Sequence, residues 1–231
     1  GDQQGSWGAC YSGIRQASIF IQNIDINEDF TLEEIADYKA QARFVRAYYY
    51  WLLLRKYGPV PLLPEKGLDY TESYDALSQP RNTYDECANY IASEMALAAK
   101  DLPLTRGPLS IARPTRGAAL AARAKVLLYA ASPLFNTNEP YMDFGTNNNL
   151  ICLNEPKNMV WWERAAAVAD SCIRWAETNG CYLITDQGVD ANYQYSWEVY
   201  DNPEIILAEK AAQGMGCWNR PWSGIIPGSI I

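Results

Sequence analysis

Residues 31–61 constrain the fold more than any other segment of this chain. Thr31-Leu32-Glu33-Glu34 has the form of a capping box, in which the threonine hydroxyl and the glutamate three residues later satisfy each other's backbone N–H groups at a helix start. The helix it opens should run to about Tyr57, where Gly58-Pro59-Val60-Pro61 stops it: glycine takes a C-terminal turn and the prolines cannot continue the hydrogen-bond ladder. Within it Ile35, Tyr38, Ala42, Val45, Tyr49 and Leu52 fall on one face, and Phe44, Tyr48, Trp51 and Arg55 on a second. A helix with two apolar faces has to be packed on several sides.

The same periodicity marks four further helices, over 8–24, 83–100, 115–132 and 160–178. Thr83 and Thr115 stand where N-caps belong, Asp85 and Glu86 favour the first turn of the third helix, and Asn179-Gly180 ends the last. The helix at 115–132 is rich in small residues (Gly117, Ala118, Ala119, Ala121, Ala122, Ala124), which admit a close neighbour. Two irregular stretches, 62–81 and 134–159, are long enough to count as functional loops, and 182–185 and 204–209 read as short strands. Tyr84-x-x-Cys87-Ala88-x-x-Ile91 and Trp162-x-x-Ala165-Ala166-x-x-Ala169 share an aromatic-small-Ala-apolar spacing, similar to the first helix of a tetratricopeptide unit. The expected fold is therefore mainly α: tetratricopeptide-like helical pairs with long loops and a few short strands near the C-terminus.

Composition removes several functions. Among the 231 residues there is no histidine, so Ser-His-Asp and Cys-His nucleophile pairs, HExxH zinc sites and imidazole proton shuttles are all excluded. The net charge of −8 divides evenly, with 11 basic and 15 acidic residues in 1–115 and 8 and 12 in 116–231, so neither half offers the basic surface a nucleic acid needs. Six cysteines, at 10, 87, 152, 172, 181 and 217, form no CxxC and no tight cluster. We expect no metal and no cofactor, and read the cysteines chiefly as buried thiols, with disulfide pairing left open. The longest apolar run, residues 47–54, is far too short to span a bilayer.

Four stretches carry a resemblance. Arg43-Phe44-Val45-Arg46-Ala47-Tyr48-Tyr49-Tyr50-Trp51, closing on Lys56-Tyr57-Gly58-Pro59-Val60-Pro61-Leu62, resembles a hallmark of the SusD/RagB family of outer-membrane lipoproteins. A second match runs from Arg113-Pro114-Thr115-Arg116-Gly117 through Arg123-Ala124-Lys125 to Ser132-Pro133-Leu134-Phe135-Asn136. Trp162-Glu163-Arg164-Ala165-Ala166 and Pro203-Glu204-Ile205-Ile206-Leu207-Ala208 follow in the family's order. The resemblance implies a SusD-like fold and a non-enzymatic binding protein, lipid-anchored at the cell surface, that captures glycans, or peptides in RagB-like branches, for a SusC-like TonB-dependent transporter. It also implies that 1–231 is a single N-terminal helical domain, with a lipid-anchor region upstream and a C-terminal half downstream that this chain lacks.

Sugar rings stack their C–H faces on flat side chains and bond their hydroxyls to amides, carboxylates and guanidinium groups. With eight Trp and sixteen Tyr the chain has the rings, though those on helices, such as Tyr48, Tyr49, Trp51, Tyr84, Tyr129, Trp162 and Trp175, are expected in the core. The loop aromatics are the ligand-binding candidates: Trp218 and Trp222 with Asn219 and Arg220 between them, Tyr70 and Tyr74 in an acidic loop, and Tyr193 and Trp197, which alternate with Tyr195 as on a strand face. Trp7, just ahead of a helix, is a weaker one. Asp143 with Asn147, Asn148 and Asn149 lacks the spacing of an EF-hand and reads as a turn-rich loop. Two other functions fit parts of the sequence: a protein-binding scaffold whose aromatics are only core, and a carboxylate glycoside hydrolase drawing on acids such as Asp186, Asp190, Glu198 and Asp201. No pair of these acids sits in a catalytic motif.

Overall fold

Thr31 caps helix α2 (Leu32–Tyr57) as its sequence requires: its hydroxyl accepts from the Glu34 N–H, and the Glu34 carboxylate accepts from the Thr31 N–H at 2.9 Å. The computed structural model describes residues 6–68, 71–107, 110–153, 158–199 and 202–207. In these, α1 (Ser6–Asn23) precedes α2, and a one-turn helix α3 (Tyr74–Leu77) interrupts the following loop. Then come α4 (Tyr84–Asp101), α5 (Arg116–Ala131), a second one-turn helix α6 (Asn148–Ile151), α7 (Met159–Thr178) and α8 (Ala191–Glu198). A second capping box, Thr83 with Glu86, opens α4, and the Thr115 hydroxyl caps α5.

Each long helix packs on the next, in the order α1, α2, α4, α5, α7. Contacts between opposite ends show that neighbours run antiparallel. Lys39 pairs with Asp25 and Lys56 with Ser6 across α1 and α2. Arg43 and Arg46 of α2 meet Glu94 and Tyr90 of α4. The Arg116 side chain reaches the Lys100 carbonyl at 3.2 Å, while Phe135, beyond the far end of α5, stacks on Tyr84 at 3.7 Å between ring centroids. This succession of antiparallel hairpins is the expected tetratricopeptide-like architecture, and its core runs unbroken from Ile14 through Tyr50, Ile91 and Leu127 to Trp161.

Small residues set the spacing. A Cβ on Gly117 would come within 2.2 Å of the Trp175 ring, and one on Gly13 within 2.4 Å of Tyr49. The glycines let α7 and α2 lay an aromatic ring directly on their neighbour's backbone. Gly117→Val should therefore overpack the α5–α7 seam and lower stability by about 1–3 kcal/mol, read as an earlier urea midpoint with unchanged slope. An unchanged midpoint would show that the indole moves aside at no cost.

Several expectations need correcting. The segment 182–185 has no regular secondary structure; one bond from the Tyr182 N–H to the Pro203 carbonyl at 3.2 Å joins it to the following turn, and of the expected strand 204–209 only Leu207 is a bridge residue, with 208 and 209 outside the described residues. The Ile184 N–H is taken by the Glu204 carboxylate at 2.8 Å, a side chain doing what a partner strand would otherwise do. Tyr193, Tyr195 and Trp197 lie on helix α8, so their two-residue alternation does not place them on one face. In the second tetratricopeptide-like unit the register is one residue earlier than the sequence spacing suggests: Trp161 and Ala165 are buried, whereas Trp162 is 38% exposed. Tyr129 is also exposed at one edge, although Trp51 and Tyr84 are buried as expected. Two adjacent tryptophans offer alternative helical phases, and the one chosen places Trp161 under the Arg164 guanidinium, whose carbon is 4.6 Å from the ring centroid.

Candidate functional site

Rings and hydrogen-bonding groups converge in a groove between α1 and α2. Gln16 and Phe20 come from α1, Ile24 and Phe30 from the connection after it, Tyr38, Gln41, Val45 and Tyr49 from α2, and Arg113 from the loop before α5. The cavity measures about 650 Å³, within the range of small-ligand sites. The α1 wall is low because Gly13 and Ala17 face a whole stripe of α2, so that stripe's rings are only partly covered. Phe20 remains 41% exposed and Phe30 37%. Phe30 meets Tyr38 edge to face at 5.1 Å, and the Arg113 guanidinium carbon lies 5.9 Å from the Tyr38 ring centroid.

The groove floor is fixed by charge. Arg106 clamps Asp37 through two bonds of 2.6 and 2.7 Å and also donates to the Pro114 carbonyl, tying the loop that carries Arg113 to the first turns of α2. Asp37 in turn accepts from the Gln41 amide at 2.9 Å, fixing a side chain that lines the groove. The arrangement can stack a flat ring and bond its rim; it contains no pair of carboxylates facing each other across a cleft.

A second assembly holds the start of the 58–82 loop. Arg46 is 2% exposed, yet its guanidinium donates to the Leu63 carbonyl at 2.8 Å and to the Tyr90 hydroxyl. The Leu63 N–H donates to the Tyr50 hydroxyl at 2.9 Å. Glu94 accepts two bonds from Arg43, at 2.7 and 2.9 Å, and lies 4.0 Å from Arg46, while Glu65 reaches both arginines. Tyr11 donates to the Pro61 carbonyl at 2.8 Å, and Asn82 closes the loop's far end on Leu62 and Val60. Burial raises the hydroxyl pKa values of Tyr11, Tyr50 and Tyr90 above the ordinary phenol range. The hallmark segment 43–62 is thus a clamp on the loop it precedes.

Of the sequence-derived ligand candidates, Trp218, Asn219, Arg220, Trp222 and Tyr70 lie outside the described residues. Tyr74 opens α3 in the clamped loop, and Trp197 lies on α8; only their backbone positions are described. Tyr193 is 71% exposed on α8. Trp7 packs against Tyr11 and Tyr57 beneath the Arg81 guanidinium and belongs to the partly buried shell of the core. The described residues do not bring the candidates together. Phe20, Phe30 and Arg113 were not anticipated as ligand contacts, Tyr49 was expected in the core and Tyr38 was placed only on an apolar face of α2; the available signal was that the stripe Tyr38, Val45, Tyr49 is larger than the glycine and alanines of α1 can cover.

The cysteines divide by depth. Cys10, Cys87 and Cys152 are buried and Cys172 and Cys181 half-buried, none of them in a disulfide among the described residues, and Cys217 lies outside those residues. Burial pushes the Cys87 thiol up to about 11, and its S–H donates to the Val60 carbonyl. Unfolding releases that thiol to its ordinary value, so above about pH 9 the unfolded chain loses a proton that the folded one keeps, and stability should fall through pH 9–11. The accompanying check is that Cys87 resists alkylation at pH 8 until denaturant is added; ready labelling of the native protein would contradict it. Asp143 behaves as a turn residue, accepting from the Gly145 N–H and the Asn148 amide, and these bonds hold its carboxyl below the usual range. No group of three or more potential metal ligands occurs among the described residues, and no described helix is long and apolar enough to cross a membrane.

Stacked antiparallel hairpins with an open aromatic groove and a clamped loop define a helical-array protein suited to holding a ligand on its surface. A family model for SusD-like proteins, described as "Starch-binding associating with outer membrane", matches residues 2–128, and the chain belongs to that family. Among solved structures, BT4246 matches with a TM-score of 0.68 at 27% identity, over 89% of this chain and 35% of that one. A SusD-like protein from Bacteroides fragilis gives 0.68 at 22% identity, over 90% and 34%. A laminarin-binding SusD-like protein gives 0.59 at 20%, over 88% and 37%, a likeness of fold alone. The chain spans about a third of the length of these structures. No curated protein matched it.

Proposed function

We propose that this chain is the helical domain of a cell-surface glycan-binding protein, non-enzymatic, that captures oligosaccharide at the outer membrane and passes it to a SusC-like TonB-dependent transporter. The observation that carries this reading is the family match over residues 2–128. It is supported by the groove of Phe20, Phe30 and Tyr38 with Gln41 and Arg113, which provides the stacking faces and rim donors that a sugar requires. In this reading residues 1–231 form one domain of a longer protein that carries a lipid anchor upstream and further ligand surface downstream. The clamped loop with Tyr70 and Tyr74, and the segment with Trp218 and Trp222, are then additional contact points for glycan or transporter.

The test is a titration of this chain, and of the longer protein containing it, with a panel of neutral and acidic glycans and short peptides, following tryptophan fluorescence and assaying the same samples for released reducing ends. Saturable glycan binding without release is the expected result, weakened by Phe30→Ala or Tyr38→Ala if the groove is the platform and by Trp218→Ala or Trp222→Ala if the later segment is. Binding of peptides alone would move the protein to a RagB-like role. Turnover would make it an enzyme and end the proposal.

A further inference from the structure

Four basic side chains line one surface of α4, α5 and α7, on a protein whose net charge is −8. Arg116 and Arg123 are seven residues apart on α5, and so share a face about 10 Å along the helix. The Arg116 guanidinium lies over the C-terminal end of α4, donating to the Lys100 carbonyl at 3.2 Å. At the other end Arg164 of α7 crosses to α4 and donates to the Asn89 side chain at 2.8 Å. Because α4 and α5 run antiparallel, Arg123 falls between these two anchor points. Lys100, Arg116, Arg123 and Arg164 therefore form a strip.

What singles the strip out is the lack of counter-charge. None of the four pairs with a carboxylate among the described residues, whereas Arg43, Arg46, Arg106 and Arg174 all do. Between Asn89 and Lys100 the α4 positions on that side are Asn89, Ser93, Ala96 and Leu97, none acidic; Glu86, one turn before Asn89, is taken up by Asn82 and Thr83, Asp101 follows Lys100 at the end of the helix, and the Glu94 carboxylate is turned to Arg43. The Nε atoms of Arg116 and Arg123 are both buried with no hydrogen-bond partner. Arg123 is further disfavoured as a cation by its own desolvation and then by the charge of Arg164. Partly covered cations of one sign without a counter-charge repel one another, and an anion that bonds several guanidinium groups at once relieves that repulsion.

We propose that this strip binds an acidic glycan, one whose sugars carry carboxylate or sulfate groups along an extended chain. The proposal rests on the glycan-binding reading and narrows its substrate class. Repeated charges in register with Arg116 and Arg123 suit a linear polyanion better than a single small ion. Leu97 and Leu120, beside the arginines, give the apolar sugar faces something to lie on, Leu97 being 42% exposed. The strip is separate from the α1–α2 groove, whose lining includes none of the four residues.

The experiment is calorimetric titration of the full chain with oligogalacturonate and, in parallel, with neutral gluco-oligosaccharides of equal length, at low and at physiological salt, for the wild type, Arg123→Gln and the double variant Arg123→Gln with Arg164→Gln. Circular dichroism and a urea midpoint confirm that the variants fold. The inference expects the acidic oligomer to bind more tightly at low salt, and the double variant to lose at least ten-fold in affinity for it while its response to the neutral oligomers stays as in the wild type. Equal binding of both oligomers, or acidic binding that the double variant leaves intact, overturns the acidic strip while the glycan-binding reading stands. Binding of neutral oligomers alone does the same. Binding of neither overturns the acidic strip, and the panel titration of the longer protein then decides the glycan-binding reading.

Discussion

Replacing Arg46 by alanine should cost about 3–5 kcal/mol, more than any surface substitution on this chain, because it leaves the partners of a buried ion network without their counter-charge. The guanidinium is 2% exposed, 4.0 Å from Glu94, and bonded to both the Leu63 carbonyl and the Tyr90 hydroxyl. Removing it strands a carbonyl in the interior and a glutamate that is then held by Arg43 alone. Arg46→Lys keeps the charge but cannot reach two acceptors in different directions, so it should recover only part of the loss. The check is a denaturant series on the three proteins. A loss in Arg46→Ala below about 1 kcal/mol would mean that water replaces the guanidinium and that the network contributes little. Limited proteolysis should separate the effects, since loss of the clamp is expected to expose the loop after Leu63 before the helices unfold.

The second large effect is expected at Tyr84. Its ring is 1% exposed, opens α4 directly behind the Thr83 cap, and stacks on Phe135 at 3.7 Å. Tyr84→Ala should cost about 3–5 kcal/mol through lost apolar burial and the cavity left between the ends of α4 and α5. Tyr84→Phe preserves the stack and should change stability by less than about 1 kcal/mol. Unfolding midpoints that moved equally in both variants would assign the contribution to the hydroxyl and contradict the packing account. The same cluster reaches further along the array, because Asn136, next to Phe135, accepts from the Asn158 N–H at 3.1 Å and donates to its carbonyl at 3.2 Å. Loss of the Tyr84 ring should therefore loosen the start of α7 as well as that of α4.

The helices were legible in the sequence because their ends are written locally. Thr31 with Glu34 and Gly58-Pro59 bound α2 without help from tertiary contacts, and the long helices begin and end within two residues of where periodicity puts them. What was not legible came from competition between equivalent local choices. Trp161 and Trp162 fit a helical face equally well, and only the position of Ala165 against α5 selects the first. Arg46 reads as one more solvated charge beside Arg43 until the loop that follows α2 folds back to bond it. Tyr193, Tyr195 and Trp197 alternate like a strand, yet they lie in a helix opened by a turn in which the Ala191 and Asn192 N–H groups donate to the Gly188 carbonyl. The groove escaped notice for a related reason: Tyr38 and Tyr49 have the pattern of core residues, and their partial exposure follows from how little side chain α1 sets against them.

Independent start signals on successive helices also bear on how such a protein can diversify. A helix that carries its own cap keeps its first turn in place when the connection before it changes length. The closure penalty for a longer connection grows only slowly, by about 0.6 kcal/mol for each doubling. The stretches ahead of Thr83 and Asn158 can thus be lengthened, shortened or exchanged with little disturbance to the frame, since each following helix is capped by its own side chain. Grafting a foreign segment between Arg81 and the clamp at Leu63 would vary what the surface presents while the same five long helices assemble beneath it, at small thermodynamic risk.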